Sequence, residues 1–344
     1  MALEAGADAV FALPVSFSCA AADRFALGGV RLLSSLGVVT SQAFGCENAA
    51  DSDALMRAAA CLNGETAAFR EALRARLATG IPYPQAQAEA LQAACGVPAG
   101  LLSAPNNILA VAYLRQLMGA GLPIRPVFIQ RLGSRSAAGG GFLPSSAVRH
   151  LILSGDTDAA MQAVPPASAA IIRECIDAKR LCPPEALTQA LFYRLYTTAP
   201  EEWARYADQG EGLENRLKKA LDARPASREA LLEGLKTRRY TRAALQRWLS
   251  RILLDLPADR LPDAPECLRL LGFRRSEEPL LREIRRKASL PLISKPARGK
   301  AYLADDARAE LLWSLGAGQP ASLFEQSPAV VPFSESVNSE DIQP

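Results

Sequence analysis

The first half of the chain alternates short apolar runs with longer stretches of helical periodicity. Val10–Leu13 is a short apolar run behind Gly6 that stops at Pro14, which predicts a buried strand. Ala21–Leu36 carries Phe25, Leu27, Val30, Leu32 and Leu33 at helical spacing and stops near Gly37. Val38–Phe44 predicts a second strand, ending at Gly45. Asp51–Ala78 reads as one long helix or two, with Leu55, Met56, Ala59, Leu62, Phe69, Leu73 and Leu77 on its apolar stripe. Helices follow at Gln85–Ala94 and Asn107–Met118, and a third strand at Ile124–Gln130. A Gly-rich loop, Gly133–Gly141, leads into a helix at Ser145–Leu153.

Strands separated by helices imply parallel pairing with right-handed crossovers, and in such sheets ligands bind at the carboxyl ends of the strands. Gly45 and Arg131 sit at those ends. From about Pro165 the pattern changes. Nearly everything to Lys287 reads as helix, punctuated by Pro183-Pro184, Pro225 and Pro257. Leu290–Ser294 is a short strand candidate and Asp305–Leu315 a last helix. The expected organisation is an α/β domain over residues 1–164, an α-helical domain over 165–317 and a disordered, Ser/Pro/Glu/Gln-rich tail over 318–344.

Composition adds mostly exclusions. Of 344 residues, 49% are apolar and 22% charged, and the net charge is only +3. That balance is too mild to argue for nucleic acid, so local clusters must carry such an argument. Seven scattered cysteines, an odd number without C-x-x-C, disfavour a disulfide framework and a zinc site and fit a reducing cytoplasm. No apolar run reaches membrane-spanning length, and the opening residues lack the basic start of a signal peptide. The single histidine, His150, excludes any mechanism that needs two from this sequence.

Four short strings carry candidate chemistry. In F-G-C-E (Phe44–Glu47), a glycine at a strand end admits a nucleotide to the backbone. In A-P-N-N-I-L (Ala104–Leu109), one asparagine is expected to cap the helix and the other, Asn106 or Asn107, to be free for a ligand. I-Q-R delivers Arg131 to the sheet's carboxyl edge, where a guanidinium suits phosphate. P-S-S-A-V-R (Pro144–Arg149) opens a helix whose free N–H groups, with Ser146 and Arg149, make an anion site. Cys46 lies near these but has no second histidine to activate it, and His150 reads as a helix-surface residue. Farther on, Lys236, Arg238, Arg239, Arg242, Arg247 and Arg251 form a one-sign cluster beside Tyr240 and Trp248, which fits RNA phosphates and bases. A second basic group comprises Arg274, Arg275, Arg282, Arg285, Arg286 and Lys287. A solvated charged face and a core tryptophan are the plainer readings of these features.

Taken in order, G-A-D-A-V-F-A-L-P, F-A-L-G-G-V-R-L-L, F-G-C-E, G-I-P-Y-P, A-P-N-N-I-L, I-Q-R, E-G-L-E-N-R-L-K and R-R-Y-T-R resemble the tRNA-methionine cytidine acetate ligases over about Met1–Leu315. The resemblance implies a Rossmann-like, HUP-type nucleotidyltransferase domain followed by an all-α tRNA-binding domain. It implies that acetate attacks the α-phosphate of ATP, and that the wobble cytidine of elongator methionine tRNA then takes the acetyl group on N4. It assigns ATP binding to Gly45, Asn106, Arg131, Ser146 and Arg149, with Pro144 and Ser145 departing from the usual residues before them. It implies that the C-terminal helical domain helps to hold the tRNA, which makes Lys236, Arg238, Arg239, Arg242 and Arg247 of the basic cluster the tRNA-binding candidates. Magnesium is expected with ATP, although no ligand set is visible. A non-catalytic tRNA-binding remnant and a nucleotidyltransferase acting on a small molecule are the other readings.

The resemblance departs at the start. The family opens with a strand and an E-Y-N-P-F-H-N-G-H type loop whose paired histidines cradle ATP, whereas this sequence begins inside the later A-E-M-A-L helix. A domain incomplete at its N-terminus is therefore expected, short by roughly one β-α-β unit, on the order of 30–60 residues. No catalytic residue is assigned, and the chain as written is expected to be inactive. Acetate- and tRNA-dependent pyrophosphate release checks this. Release is expected only from a version extended upstream to an in-frame H-x-G-H, and release by the present 344 residues would refute it.

Overall fold

A computed structural model describes residues 1–131, 142–206, 212–237, 240–319 and 321–331. In chain order the first half forms β1 (Ala9–Phe11), α1 (Val15–Ser18), α2 (Ala22–Ser35), β2 (Ser41–Cys46) and α3 (Ser52–Gly64). It continues with α4 (Ala67–Leu77), α5 (Tyr83–Cys95), α6 (Pro105–Gly119), β3 (Arg125–Gln130) and α7 (Ser145–Leu153). Helices α8 (Thr157–Gln162), α9 (Pro166–Asp177), α10 (Thr188–Thr197), α11 (Pro200–Trp203), α12 (Leu213–Asp222), α13 (Arg228–Leu235) and α14 (Arg242–Leu254) come next. The described chain ends with β4 (Leu268–Arg274), α15 (Glu278–Lys287), β5 (Leu292–Ile293), α16 (Ala304–Gly316) and β6 (Ala329–Val331).

Two compact units result: Ala20–Gly133, and Met1–Cys19 together with Ser134–Pro344. The division expected at residue 164 is thus not the one drawn by contacts, because the first residues of the chain pair with the C-terminal half.

In the unit Ala20–Gly133, β2 and β3 pair in parallel, with Gly45 opposite Ile129 and Cys46 opposite Gln130. Alternation sends Phe44 and Cys46 into the core and leaves Gly45 exposed on the other face. Phe44 stacks on Tyr113 of α6 and meets Phe128 of β3 edge-on, with ring centroids 5.4 and 5.3 Å apart. Leu55, Ala58, Leu91, Val111 and Leu114 complete this core. The long stripe of residues 51–78 is two helices. Glu65 takes a φ of 22° after Gly64, and the Thr66 hydroxyl caps α4 by accepting from Phe69 N at 3.2 Å. Packing of α3 beside α5 joins Cys61 and Cys95 in a disulfide, a correction to the unpaired set expected from the odd count. The other five cysteines are free.

In the second unit the unexpected element is β4. Helical reading fails for Leu268–Arg274 because this run is a strand shared by three partners. It pairs antiparallel with β1 and parallel with β5 and β6. The run expected to join the parallel sheet, Val10–Leu13, contributes instead to this one. Gly272 is required by the crowding: a Cβ there would lie 2.8 Å from the Ala329 carbonyl and 2.9 Å from a Leu3 methyl. The proposed tail is ordered in part, since Leu323 is buried and β6 completes the sheet, while residues 332–344 lie outside the described residues. Helices α10, α12, α13 and α14 pack around Leu195, Leu217, Leu232, Trp248 and Ile252. At the end of α14, Asp255 accepts from Arg194 and from the Tyr206 hydroxyl, each at 2.7 Å. Burial would raise its carboxyl, but these partners and Arg260 hold it below the usual range.

Asp306 on α16 ties the start of α1, accepting from Val15 N at 3.1 Å. Burial pushes its carboxyl up to about 6, against the opposing pull of the Val15 N–H and Arg269. A folded-state value above the unfolded one means that the group favours folding when protonated and loses that contribution as pH rises from about 4 through 6. Asp306→Asn keeps the accepting oxygen without the charge. Urea unfolding should show the variant gaining on the parent across this window, by on the order of 1 kcal/mol at pH 7.5. Parallel pH profiles would overturn the assignment.

Candidate functional site

The ends of β2 and β3 bring together side chains far apart in sequence. Arg131 follows β3, and its backbone N–H donates to Cys46 O at 2.8 Å, so the ladder continues one residue past the last strand pair. Glu47 follows β2. Its carboxylate Oε1 accepts from Asn106 Nδ2 at 2.7 Å and lies 3.9 Å from Arg131 Nη1. Gly45, Asn106 and Arg131, expected to share a site, are therefore grouped at one edge, with Glu47 between the latter two.

Neither asparagine caps α6, contrary to the expectation. Pro105 stands in the first turn, Ala104 is the cap position, and no side-chain cap bond forms. Asn107 is 4% exposed and acts as a clamp. Its Oδ1 accepts from Glu47 N at 3.0 Å, and its Nδ2 donates to Leu101 O at 2.9 Å. Asn106 is half-buried. A carboxylate can only accept, so it orients the Asn106 amide with its nitrogen inward, leaving Oδ1 as an acceptor and one N–H as a donor. Glu47 and Asn107 carried no assigned role in the sequence reading. The signal for Glu47 was its place at the end of F-G-C-E, and that for Asn107 was the doubled asparagine.

Gly45 has an ordinary negative φ, and a Cβ would meet only Ile129 O, at 4.0 Å. Neither backbone geometry nor packing demands glycine there, so what its absent side chain leaves free is open space at the strand end. Cys46 is fully buried, and its thiol is pushed up by burial and by Asp51 and Glu47, which removes it from nucleophilic chemistry.

Ser146 and Arg149 belong to the other unit. Pro144 is the cap position of α7, neither serine caps it by side chain, and Ser146 is exposed. The free N–H groups of this nine-residue helix remain available to an anion. Arg149 turns back, its Nε donating to Ser145 O at 3.3 Å. The Gly-rich loop before it, 133–141, lies outside the described residues. His150 is exposed on α7.

The basic string around α14 is less free than its sequence suggested. Glu229 and Glu233, on α13, both pair with Arg242, and Glu233 also lies 3.6 Å from Lys236 Nζ. Arg247 is half-buried, and burial lowers its guanidinium. Arg251 is 2% exposed, and Trp248 is a core residue whose indole donates to Trp203 O at 3.1 Å. Arg238 and Arg239 lie outside the described residues.

Because Asn107 satisfies two backbone groups in a buried place, Asn107→Ala strands both. The expected cost is about 2 kcal/mol in urea unfolding. A loss below about 0.5 kcal/mol would show that the clamp is not needed.

Residues 1–327 match the family described as HIGH Nucleotidyl Transferase. The tRNA(Met) cytidine acetate ligase of Acetivibrio thermocellus is 33% identical over 316 residues, covering 86% of this chain and 74% of that protein. The protein of the same name from Syntrophotalea carbinolica is 35% identical over 312 residues, covering 87% and 72%. The fold matches the crystal structure of Thermotoga maritima TmcAL bound with alpha-thio ATP, with a TM-score of 0.88 at 24% identity over 96% of this chain and 86% of that one. An α/β chain with this coverage and these relatives is a member of the tRNA(Met) cytidine acetate ligase family within the HIGH nucleotidyl transferases.

Proposed function

We propose that this chain serves the ATP-dependent joining of acetate to the wobble cytidine of elongator methionine tRNA, in the cytoplasm. The observation that carries the reading is the grouping of Gly45, Asn106 and Arg131 around Glu47, in a chain of this family. In the first step an acetate oxygen bonds to the α-phosphorus of ATP. The bond from that phosphorus to the bridging oxygen breaks, and pyrophosphate leaves with its electron pair. In the second step the cytidine N4 attacks the acetyl carbonyl, AMP departs and the amine gives up one proton. Both steps move negative charge onto phosphate oxygens, so the protein's task is positioning and charge neutralisation. Arg131 suits that task through its forked donors, Asn106 through its oriented amide, and Ser146 and Arg149 through an uncapped helix start.

Magnesium is expected to accompany the nucleotide. Among the described residues no group of three or more His, Cys, Asp or Glu side chains could hold a metal. Also among the described residues, no helix is long and apolar enough to cross a membrane.

Binding is the test this sequence meets by itself, since its only histidine is His150. ATP should bind the chain, measured by calorimetry, and Arg131→Ala should weaken it about tenfold. Glu47→Ala should weaken ATP through Asn106, so that adding Asn106→Ala to it costs little more. Additive losses would assign Glu47 a separate role, and failure of the parent chain to bind either ATP or tRNA would sink the functional reading.

A further inference from the structure

Several arginines on the surface of this protein have a carboxylate. Arg76 pairs with Glu89, Arg173 with Asp158, Arg180 with Glu174 and Arg205 with Asp259. Arg242 and Lys236 do so through α13. The arginines of helix α15 do not. Leu281 and Ile284 face the core, while Arg282, Arg285 and Arg286 are exposed on the opposite arc, at spacings of three and four residues. Among the described residues, none of these three lies within 4 Å of a carboxylate. Glu283, the one acid within Arg282–Lys287, is taken by Lys287. Arg275, just before the helix, is exposed and likewise unpaired.

The helix dipole explains only part of this. Cations in the last turn are favoured there, which covers Arg285 and Arg286. Arg282 stands mid-helix, and Arg275 precedes the positive end, where a cation is disfavoured. Four unpaired guanidinium groups on one short stretch hold a surface charge that the fold does not use. Their stiff forked donors fit the closely spaced phosphates of an RNA backbone.

Resting on the reading that this chain acts on a tRNA, we propose that the exposed face of α15, with Arg275, is the surface that grips the tRNA's phosphate backbone. The paired cations of α14 then play the smaller part. Contacts of this kind position the RNA without reading its sequence, so they set affinity and salt dependence rather than choice of tRNA.

The test is filter binding of an unmodified elongator methionine tRNA transcript across a salt series. The variant R282A/R285A/R286A should bind at least about tenfold more weakly at 150 mM salt, and the slope of log affinity against log salt should fall by about 2. R282K/R285K/R286K keeps the charge and should recover most of the binding, with ATP binding unchanged in all three proteins. R173A/R180A/R205A removes as much charge at paired sites and should change little. Equal tRNA binding by the alanine and parent proteins overturns the proposal while leaving the functional reading intact. Absence of tRNA binding by the parent protein overturns both.

Discussion

The parallel ladder between β2 and β3 is the constraint on which the candidate site depends. Once Gly45 stands opposite Ile129, the next residues of the two strands must end side by side, and Glu47 and Arg131 emerge at one edge. A shift by one residue would turn Phe44 and Cys46 out of the core, so the apolar pattern that drives folding also sets the site's geometry. Asn107 then fixes the exit of β2 from below, through its bonds to Glu47 N and Leu101 O. Glu47 passes that order on to Asn106. A carboxylate within a phosphate-binding group would oppose the ligand if it stood free. Here it is occupied by an amide and an arginine, so its charge is used to orient them.

In the second unit the corresponding role falls to β4. It is a central strand with partners from both ends of the described chain, β1 near the start and β6 near the finish. The close approach at Gly272 leaves no room for a side chain. Asp306 adds a second link to the first residues, through Val15. Such nonlocal pairing is stabilised only after a long loop has closed, so this sheet depends on the packing of the helices that lie between its strands.

Part of the charge in this protein is organised by pairing. The basic string around α14 looked like a nucleic-acid face because its sequence neighbours lacked acids. The acids come from α13, which packs against α14 and brings Glu229 and Glu233 to Arg242. The α15 cations have carboxylates close in sequence, Glu277, Glu278 and Glu283, yet three of the four remain unpaired beyond the Lys287–Glu283 bond. Linear charge patterning marked both basic groups but not which of their cations are paired, because a salt bridge needs side chains in reach rather than residues in sequence.

What the sequence determined by itself is whatever rests on local periodicity. The helices around Ala22–Ser35, Ser145–Leu153 and Ala304–Gly316 and the strand Arg125–Gln130 were legible because spacing acts within a few residues. The ordered strings carried the family, since they record the whole chain at once. Tertiary structure alone decided the rest. Leu268–Arg274 has an apolar run that suits a buried helix or a buried strand, and only its three partner strands settle which. The doubled asparagine offers a cap, but Glu47, about 60 residues earlier in the chain, offers better-placed partners. The same holds for the Cys61–Cys95 disulfide and for the acids that claim Arg242. Each depends on which groups meet after folding, and that proximity is a property of the packed chain that no local pattern contains.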